Sequence, residues 1–312
     1  MRPNPAFFLV GCPRSGTTLL QRLLDAHPDV AVVNETSWIT RLCRPSAQAG
    51  VGRELVDWLE RHPRFARLGL DHVELEQLVG CPPPVFVESV FDSFAARRGK
   101  RVAGDKTPGY VQRIGTIHRL LPRAKFVHVV RDGRDVAVSA LGWEKAASFF
   151  DRYPTWSRDP ITTAALWWER NVLLGREAGT HIGPDLYLEV LYERVVEDTE
   201  AAARAICEFL DLRYSPSMLR FHEGRTTRLP SLSTKRQWLP PTRGLRDWRS
   251  EMARRDLERF EAAAGDLLDR LGYSRAVPTV SRKRAQHAAD VRRLFAEGVR
   301  ARRRSLPQEW AA

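Results

Sequence analysis

A chain of 312 residues with 43% hydrophobic and 28% charged residues can form one large α/β domain or two smaller ones, and its composition excludes a disordered or membrane-embedded protein. The formal net charge is +12, but residues 275–304 hold ten basic and two acidic residues, so the rest of the chain is only mildly basic. Four separated cysteines, with no C-x-x-C pair, give no sign of a disulfide framework or a zinc site.

The first half of the chain opens with a short apolar run. Residues 6–10 predict a buried strand, and they are too few for a secretion signal or a membrane span, which needs about 20 residues. We therefore expect a cytoplasmic protein. Helical spacing follows over 17–26, then a short strand pattern over 30–33. The region 51–98 is mixed and helical, and we expect its three consecutive prolines to break it.

The second half alternates strands and helices more clearly. Its patterns predict, in chain order, a strand end at 102–104, a helix at 110–121, a strand at 125–130, a helix at 161–178, a strand at 186–191, and helices at 199–210 and 251–271. This alternation predicts an α/β fold with a parallel β-sheet flanked by helices and ligands at the carboxyl ends of the strands. We expect residues 1–274 to form that domain and 275–312 a basic helical tail, solvated by default.

A glycine-rich segment joins the first strand to the first helix. It reads Gly11-Cys12-Pro13-Arg14-Ser15-Gly16-Thr17-Thr18 and resembles the phosphate loop G-x-x-x-x-G-K-[ST], except that Thr17 stands where lysine belongs. Without that lysine the loop is poorly equipped for the triphosphate of ATP, but it suits an α-phosphate that carries one further anionic group. If this segment is a phosphate loop, the sheet is of the P-loop type. The alternative is that the segment is an ordinary glycine-containing turn that binds no phosphate.

A second candidate anion site follows the strand at 125–130. Arg131 can place its guanidinium fork on a phosphate, and Ser139, eight residues later in a helix, can add a hydroxyl. An ion pair between Arg131 and Asp132 is the structural alternative. Together with the glycine-rich loop, this site predicts a nucleotide that is phosphorylated at both ends.

These two segments resemble the sulfotransferase family. Residues 13–18 are similar to its 5′-phosphosulfate loop, and residues 130–139 to its 3′-phosphate segment. The resemblance implies 3′-phosphoadenosine 5′-phosphosulfate (PAPS) as co-substrate and no metal. It implies that the nucleotide contacts comprise Arg14, Ser15, Gly16, Thr17, Thr18, Arg131, Ser139, Tyr192 on the adenine, Ser233, and Arg243 and Gly244 of a loop over 242–248.

The resemblance also implies which residues act on the acceptor. After Lys106-Thr107 stands Pro108, where cytosolic small-molecule members carry their catalytic histidine, and the segment up to Glu35 is closer to the tyrosylprotein sulfotransferases. Those enzymes use the glutamate that matches Glu35 as base and a lysine that matches Lys106. Arg14 joins them as a catalytic residue. An exposed acid at position 35, or an ion pair of Lys106 with Asp105, are the structural alternatives.

The implied function is transfer of a sulfuryl group to an acceptor hydroxyl. We expect a small molecule, a glycolipid or a carbohydrate, and a tyrosyl peptide is the second choice. A P-loop kinase that uses ATP and magnesium, and a basic nucleic-acid-binding protein, are the competing interpretations. We expect no nucleic-acid partner and leave a homodimer open. Several aromatic residues can line an acceptor cleft, although core packing suits Trp167, Trp168 and, in its strand, His128 better.

Overall fold

The structure is a computed structural model that describes residues 6–43, 50–223, 241 and 247–305. The chain divides into two compact units. The first comprises Met1–Val130 and Gly175–Arg243, and the second comprises Arg131–Leu174 and Gly244–Ala312.

The first unit is built on a five-stranded parallel sheet. Its strands are β1 Phe7–Gly11, β2 Val30–Asn34, β3 Val102–Lys106, β4 Lys125–Val130 and β5 Tyr187–Leu191, in the spatial order β2-β3-β1-β4-β5. All neighbouring pairs are parallel. The predicted parallel α/β fold is confirmed, and the predicted strands agree with the observed ones to within about two residues.

The inner strands β1, β3 and β4 of the sheet are buried, and β1 is apolar on both sides. In β1, Phe8 and Val10 belong to one hydrophobic core, whereas Phe7 and Leu9 belong to the core on the opposite face. Side chains alternate between faces with a period of two residues, so a continuous apolar run supplies both cores. Because β1, β2 and β3 are parallel, their carboxyl ends lie at the same edge of the sheet, and that edge carries the candidate site.

Helices cover this sheet. The first unit contains α1 Thr17–Asp25, α2 Ile39–Leu42, α3 Arg53–Glu60, α4 His72–Glu76, α5 Pro83–Ala96, α6 Ile114–Leu120, α10 Tyr192–Glu197 and α11 Thr199–Phe209, with 3₁₀ helices at Phe65–Leu68, Pro108–Arg113 and Pro216–Arg220. The long helix α9 Pro160–Ile182 belongs to the second unit up to Leu174 and to the first from Gly175.

The structure refines two helix predictions. The three prolines interrupt the helical region as predicted, because α4 ends before them and a new helix follows. Pro83 and Pro84 form the first turn of α5, where the lack of an N–H costs no hydrogen bond. The helix predicted over 110–121 starts as the 3₁₀ turn Pro108–Arg113 and becomes α-helical only at Ile114.

The second unit is helical. Besides the first part of α9, it contains α7 Gly133–Leu141, α8 Ala146–Phe150, α12 Trp248–Glu251, α13 Arg254–Arg270 and α14 Arg282–Ser305. Trp167 and Trp168 are almost completely buried in it, as expected of core residues.

The helix of the predicted basic tail is α14, and one of its faces is packed. Phe295 is buried and stacks on Tyr153 with ring centroids 4.8 Å apart, and Arg292 forms an ion pair with Glu169. The prediction that this helix is solvated therefore holds only for its outer face. The predicted boundary at residue 274 stays a prediction.

No helix in the described part of the chain is both long enough and apolar enough to cross a bilayer.

Candidate functional site

The glycine-rich segment connects β1 to α1, as predicted. Gly16 is the N-cap of α1 and has left-handed backbone angles (φ 95°, ψ 12°), and Arg14 is also left-handed with φ 80°. The N–H of Ser15 donates to the carbonyl of Cys12 at 3.1 Å, which closes the turn. The first backbone N–H groups of a helix have no acceptor within the helix and carry the positive end of its dipole. The loop thus leads into a helix terminus whose N–H groups are suited to an anion.

Tyr192 lies against this loop. A Cβ atom on Gly16 would overlap Cδ2 and Cε2 of the Tyr192 ring, so only glycine fits the position, for reasons of space as well as backbone angle. Tyr192 is the first residue of α10, directly after β5. The structure therefore brings the predicted adenine-binding tyrosine next to the predicted phosphate loop.

Ser15 carries a buried hydroxyl close to the start of α1. The residue is fully buried, and its Oγ has no hydrogen-bond partner among the described residues. A buried polar group without a partner costs free energy, so such groups in native proteins need an explanation. In a loop that precedes a helix terminus, a hydroxyl of this kind fits the role of donor to a bound phosphate or sulfate oxygen.

Lys106 joins the loop to Glu35. Its Nζ lies 2.8 Å from Oε1 of Glu35 and 3.4 Å from Oγ1 of Thr18 in the first turn of α1. The lysine side chain is only 2% exposed, whereas that of Glu35 is 44% exposed. Lys106 is thus a buried cation between two candidate partners, and Glu35 reaches solvent, where an acceptor can approach it.

Sheet register explains this meeting. Lys106 is the last residue of β3 and pairs with Leu9 of β1 on one side and Asn34 of β2 on the other. Glu35 comes directly after β2, and its N–H donates to the carbonyl of Lys106 at 2.8 Å. Glu35 is left-handed, with φ 51°, which turns the chain out of the strand at this point. The alternative that Glu35 is merely an exposed surface acid does not account for these contacts.

The charges around the pair favour an ionised carboxylate. Burial raises the pKa of Glu35, but the charge and hydrogen bond of Lys106 and the charges of Arg64 and Arg67 outweigh it, so the pKa lies below its ordinary value. Burial lowers the pKa of Lys106, and the carboxylates of Glu35 and Asp105 oppose this only in part. An ionised Glu35 can accept a proton, as a general base must.

Sequence reasoning missed Arg64 and Arg67. Both are exposed and lie at the 3₁₀ turn Phe65–Leu68, where Arg67 donates to the carbonyl of Asn34 at 2.6 Å and Arg64 donates to Oγ of Ser37 at 3.3 Å. Their partners, Asn34 and Ser37, lie on either side of Glu35 in the sequence, so both arginines are close to Glu35. No local motif marks them, because they come from a separate segment.

Asp105 was predicted only as a possible ion-pair partner of Lys106. The structure shows a different role, because its carboxylate accepts hydrogen bonds from Oγ1 of Thr36 and, at 2.6 Å, from Oγ1 of Thr107. Burial raises the pKa of Asp105 to about 6, although both hydrogen bonds oppose this. The sequence contains a signal for this: Asp105 and Lys106 are adjacent in a strand, and adjacent strand residues point to opposite faces of the sheet.

The second predicted anion segment lies in the second unit. Arg131 forms an ion pair with Asp135 at 3.0 Å, and Asp135 also accepts from the backbone N–H of Trp248 at 2.9 Å. Asp132 binds Arg134 instead, at 2.7 Å. Ser139 is buried two turns into α7. Arg131 is therefore a side chain held by a neighbouring carboxylate, and its phosphate role stays a prediction.

The remaining residues to place are His128, which was expected in the core, and three predicted nucleotide contacts. His128 is fully buried in β4, its Nδ1 lies 2.6 Å from the hydroxyl of Tyr187, and burial lowers its pKa to about 3, so it is a neutral core histidine. Ser233, Arg243 and Gly244 lie outside the described residues. Among the residues that the structure describes, no group of three or more His, Cys, Asp and Glu side chains is placed to hold a metal ion.

Comparison with known proteins gives a consistent result. Residues 5–216 match the profile of the sulfotransferase family. The chain is 30% identical to protein-tyrosine sulfotransferase 2 of Gallus gallus over 70% of its length and 54% of that protein. It is 28% identical to the nodulation protein NoeE of Sinorhizobium fredii over 91% of its length and 67% of that protein. The chain spans 54%, 41% and 53% of the length of the tyrosine sulfotransferases of Gallus gallus, Drosophila melanogaster and Caenorhabditis elegans.

Solved structures show the same fold. The sulfotransferase domain of the olefin synthase from Synechococcus PCC 7002 superposes with a TM-score of 0.58 at 24% identity, covering 87% of this chain and 96% of that domain. The sulfotransferase domain of the curacin biosynthetic pathway gives a TM-score of 0.55 at 16% identity, covering 87% and 98%. At these identities the likeness concerns the fold alone.

Proposed function

Because the chain belongs to the sulfotransferase family, we propose that it transfers a sulfuryl group from PAPS to the hydroxyl of an acceptor. One observation carries this proposal: Nζ of Lys106 lies between Thr18 of the glycine-rich loop and the carboxylate of Glu35. A donor-binding loop, a buried cation and an ionised, solvent-accessible base thereby meet at one edge of the sheet. This combination suits transfer of an anionic group to a hydroxyl.

The first unit offers groups that fit the donor. The hydroxyl of Ser15, the N–H groups at the start of α1 and the side chain of Arg14 are donors suited to the 5′-phosphosulfate. The ring of Tyr192, against Gly16, is an aromatic surface suited to stacking with the adenine of the nucleotide. Thr17 in place of the usual lysine agrees with a ligand shorter than a triphosphate.

The residues of the chain then have distinct tasks. PAPS supplies the sulfuryl group, whose bond to the acceptor oxygen forms as its bond to the 5′-phosphate oxygen breaks. Glu35 takes the proton that the acceptor hydroxyl loses, a role worth about 10²–10⁴ in rate. Lys106 and Arg14, with the backbone N–H groups of the loop, stabilise the negative charge that grows on the leaving phosphate. The predicted absence of a metal requirement stays a prediction.

For the 3′-phosphate we propose Arg131 and Ser139. The ion pair with Asp135 supports this, because it fixes the orientation of a guanidinium, the group whose planar fork is suited to a phosphate. Ser233, Arg243 and Gly244 remain predictions that rest on the resemblance.

The acceptor class is the least constrained part of the proposal. We favour a small molecule, a glycolipid or a carbohydrate, because the bacterial relative that matches most of the chain is not named a tyrosine sulfotransferase. A tyrosyl peptide is the second candidate, supported by the names of several relatives. A cytoplasmic location, the absence of a nucleic-acid partner and the oligomeric state stay predictions of the sequence.

Two experiments test the proposal. Purified protein is incubated with ³⁵S-labelled PAPS and a panel of phenols, sugars, glycolipids and tyrosyl peptides, and label is expected in at least one acceptor with wild type but not with E35Q. Thermal unfolding is then compared in the presence of 3′-phosphoadenosine 5′-phosphate (PAP) and of ATP with magnesium. Stabilisation by PAP alone supports the sulfotransferase, whereas stabilisation by ATP with magnesium alone supports the kinase alternative.

A further inference from the structure

Asp105 joins the two segments that carry the proposed catalytic pair. It is fully buried at the end of β3, and its two carboxylate oxygens accept from the hydroxyls of Thr36 and Thr107. Thr36 directly follows Glu35, and Thr107 directly follows Lys106. A single carboxylate therefore ties the residue after the base to the residue after the lysine.

The carboxylate of Asp105 acts from the opposite face of the sheet. In β3, Ala103 belongs to one hydrophobic core and Val102 to the other, so Asp105 shares the face of Ala103 and Lys106 the face of Val102. Register agrees, because Asp105 pairs with Phe8, whose side chain is on the Ala103 face. Asp105 thus supports Lys106 from behind the strand and contributes no atom to the reacting groups.

The segment after Glu35 needs such support. Glu35 and Ser37, on either side of Thr36, both have left-handed backbones, with φ 51° and 58°. For residues other than glycine these angles are unfavourable and persist only when the surroundings hold them. Thr36 is fully buried, and its hydroxyl is bound to Asp105. Nearby, the N–H of Ile39 donates to the hydroxyl of Tyr110 at 3.1 Å, which anchors the far end of the segment.

An aspartate is a costly choice for this position unless it has a task. A buried carboxylate loses its hydration, and two threonine hydroxyls replace only part of it. An apolar residue would fill the same core without that cost. We propose that Asp105 is a positioning residue, which holds Thr36 and Thr107 so that Glu35 and Lys106 keep their 2.8 Å contact. This inference rests on the proposed roles of Glu35 and Lys106.

The test measures the pair directly and needs no known acceptor. Protein labelled with ¹³C at the glutamate carboxyl is titrated by NMR, and the Glu35 signal is assigned by its absence in E35Q. In D105A the segment loosens, Lys106 no longer stabilises the Glu35 carboxylate, and the pKa of Glu35 is expected to rise. D105N keeps an acceptor and the shape of the side chain, so its Glu35 pKa should lie closer to that of wild type. T36V, which removes one hydroxyl, should raise it as D105A does.

A matched control separates positioning from general stability. His27 is also buried in the first unit and bonded at both ring nitrogens, to Arg213 O at 2.7 Å and from Asp29 N at 3.0 Å. H27A should lower the thermal stability and leave the pKa of Glu35 unchanged. An unchanged Glu35 pKa in D105A and T36V, or an equal rise in H27A, would overturn the inference.

Kinetics complete the test once an acceptor is available. D105A is expected to lower kcat by about 10–100-fold, the cost of a small misplacement of catalytic groups, while the Kd for PAP stays unchanged. A fall in PAP affinity with unchanged kcat would instead assign Asp105 to donor binding. If E35Q retained full turnover, the proposed base would be wrong, whereas the NMR titration would still decide whether Asp105 positions the pair.

Discussion

The pH dependence of stability offers a quantitative check on the buried carboxylate of Asp105. Its pKa is raised from 3.8 to about 6 by burial. The folded protein therefore binds this proton more tightly than the unfolded chain. The stabilisation is fully present below about pH 4, where both states are protonated, and is lost as the pH rises through the folded pKa near 6.

The expected size follows from the two pKa values. One pKa unit corresponds to about 1.4 kcal/mol, so the step amounts to about 3 kcal/mol. D105N carries no titrating group at this position and lacks the step, while every other titrating residue is the same in both proteins. The difference in free energy of unfolding, wild type minus D105N, should therefore fall by about 3 kcal/mol between about pH 4 and pH 7 and stay level above it.

Urea unfolding followed by circular dichroism at half-unit pH intervals measures this difference. D25N is a suitable control, because Asp25 is a partly exposed carboxylate whose Oδ1 accepts from the N–H of Val32 at 2.9 Å. Parallel curves for wild type and D105N across this range would refute the conclusion that Asp105 is buried in the folded state with a raised pKa.

Three further outcomes follow from the site. G16A should weaken PAP binding at least tenfold by calorimetry, because its Cβ would overlap the ring of Tyr192 and its backbone is left-handed; unchanged affinity would contradict the proposed loop. R67A should shift the acid limb of the pH–rate profile upward, since Arg67 helps to lower the pKa of Glu35; a downward shift would show the opposite electrostatic sign. R131A should weaken PAP by about 1.5–3 kcal/mol but leave adenosine 5′-phosphosulfate, which lacks the 3′-phosphate, unaffected; equal losses for both ligands would argue against a 3′-phosphate contact.

The glycine-rich loop could be predicted because everything it needs is contiguous in the chain. The apolar run of β1, the glycines and the helical spacing of α1 lie within about 20 residues, and each feature supports the next. The contact of this loop with a residue far away in the chain is visible only in the structure. Tyr192 meets Gly16 only because β5 leads α10 to the same edge of the sheet. A close approach between such distant segments leaves no local pattern.

The pairing of Lys106 with Glu35 depends on strand order. The sequence indicates that each residue follows or ends a strand, but not that β2 and β3 are neighbours. For that reason the sequence also suggests the nearest acid in the chain, Asp105, as the ion-pair partner of Lys106. Parallel register places Asn34 beside Lys106 and so brings the next residue, Glu35, to the lysine. Long-range pairing of this kind follows from the fold, and single-sequence patterns describe only local structure.

The tail shows a similar limit. Counting charges over 275–304 predicts a basic helix, and α14 is that helix. Its packed positions, such as Ala288, Val291 and Phe295, recur every three to four residues but are outnumbered by arginines. Long arginine side chains can cover apolar surface while their charges stay in water, so overall polarity hides a narrow apolar stripe.

Backbone strain gives independent support to the location of the site. Four residues other than glycine have a positive φ in the described part of the chain, and three of them are Arg14, Glu35 and Ser37. Strain of this kind persists where surrounding contacts enforce it and is concentrated at functional sites. Here the enforcing contacts are the carbonyl of Lys106, which accepts from Glu35, and the carboxylate of Asp105, which holds Thr36. If Glu35 is the base that we propose, a carboxylate fixed in this way needs little reorganisation when an acceptor hydroxyl arrives, and low reorganisation is the main way in which a charged site accelerates group transfer.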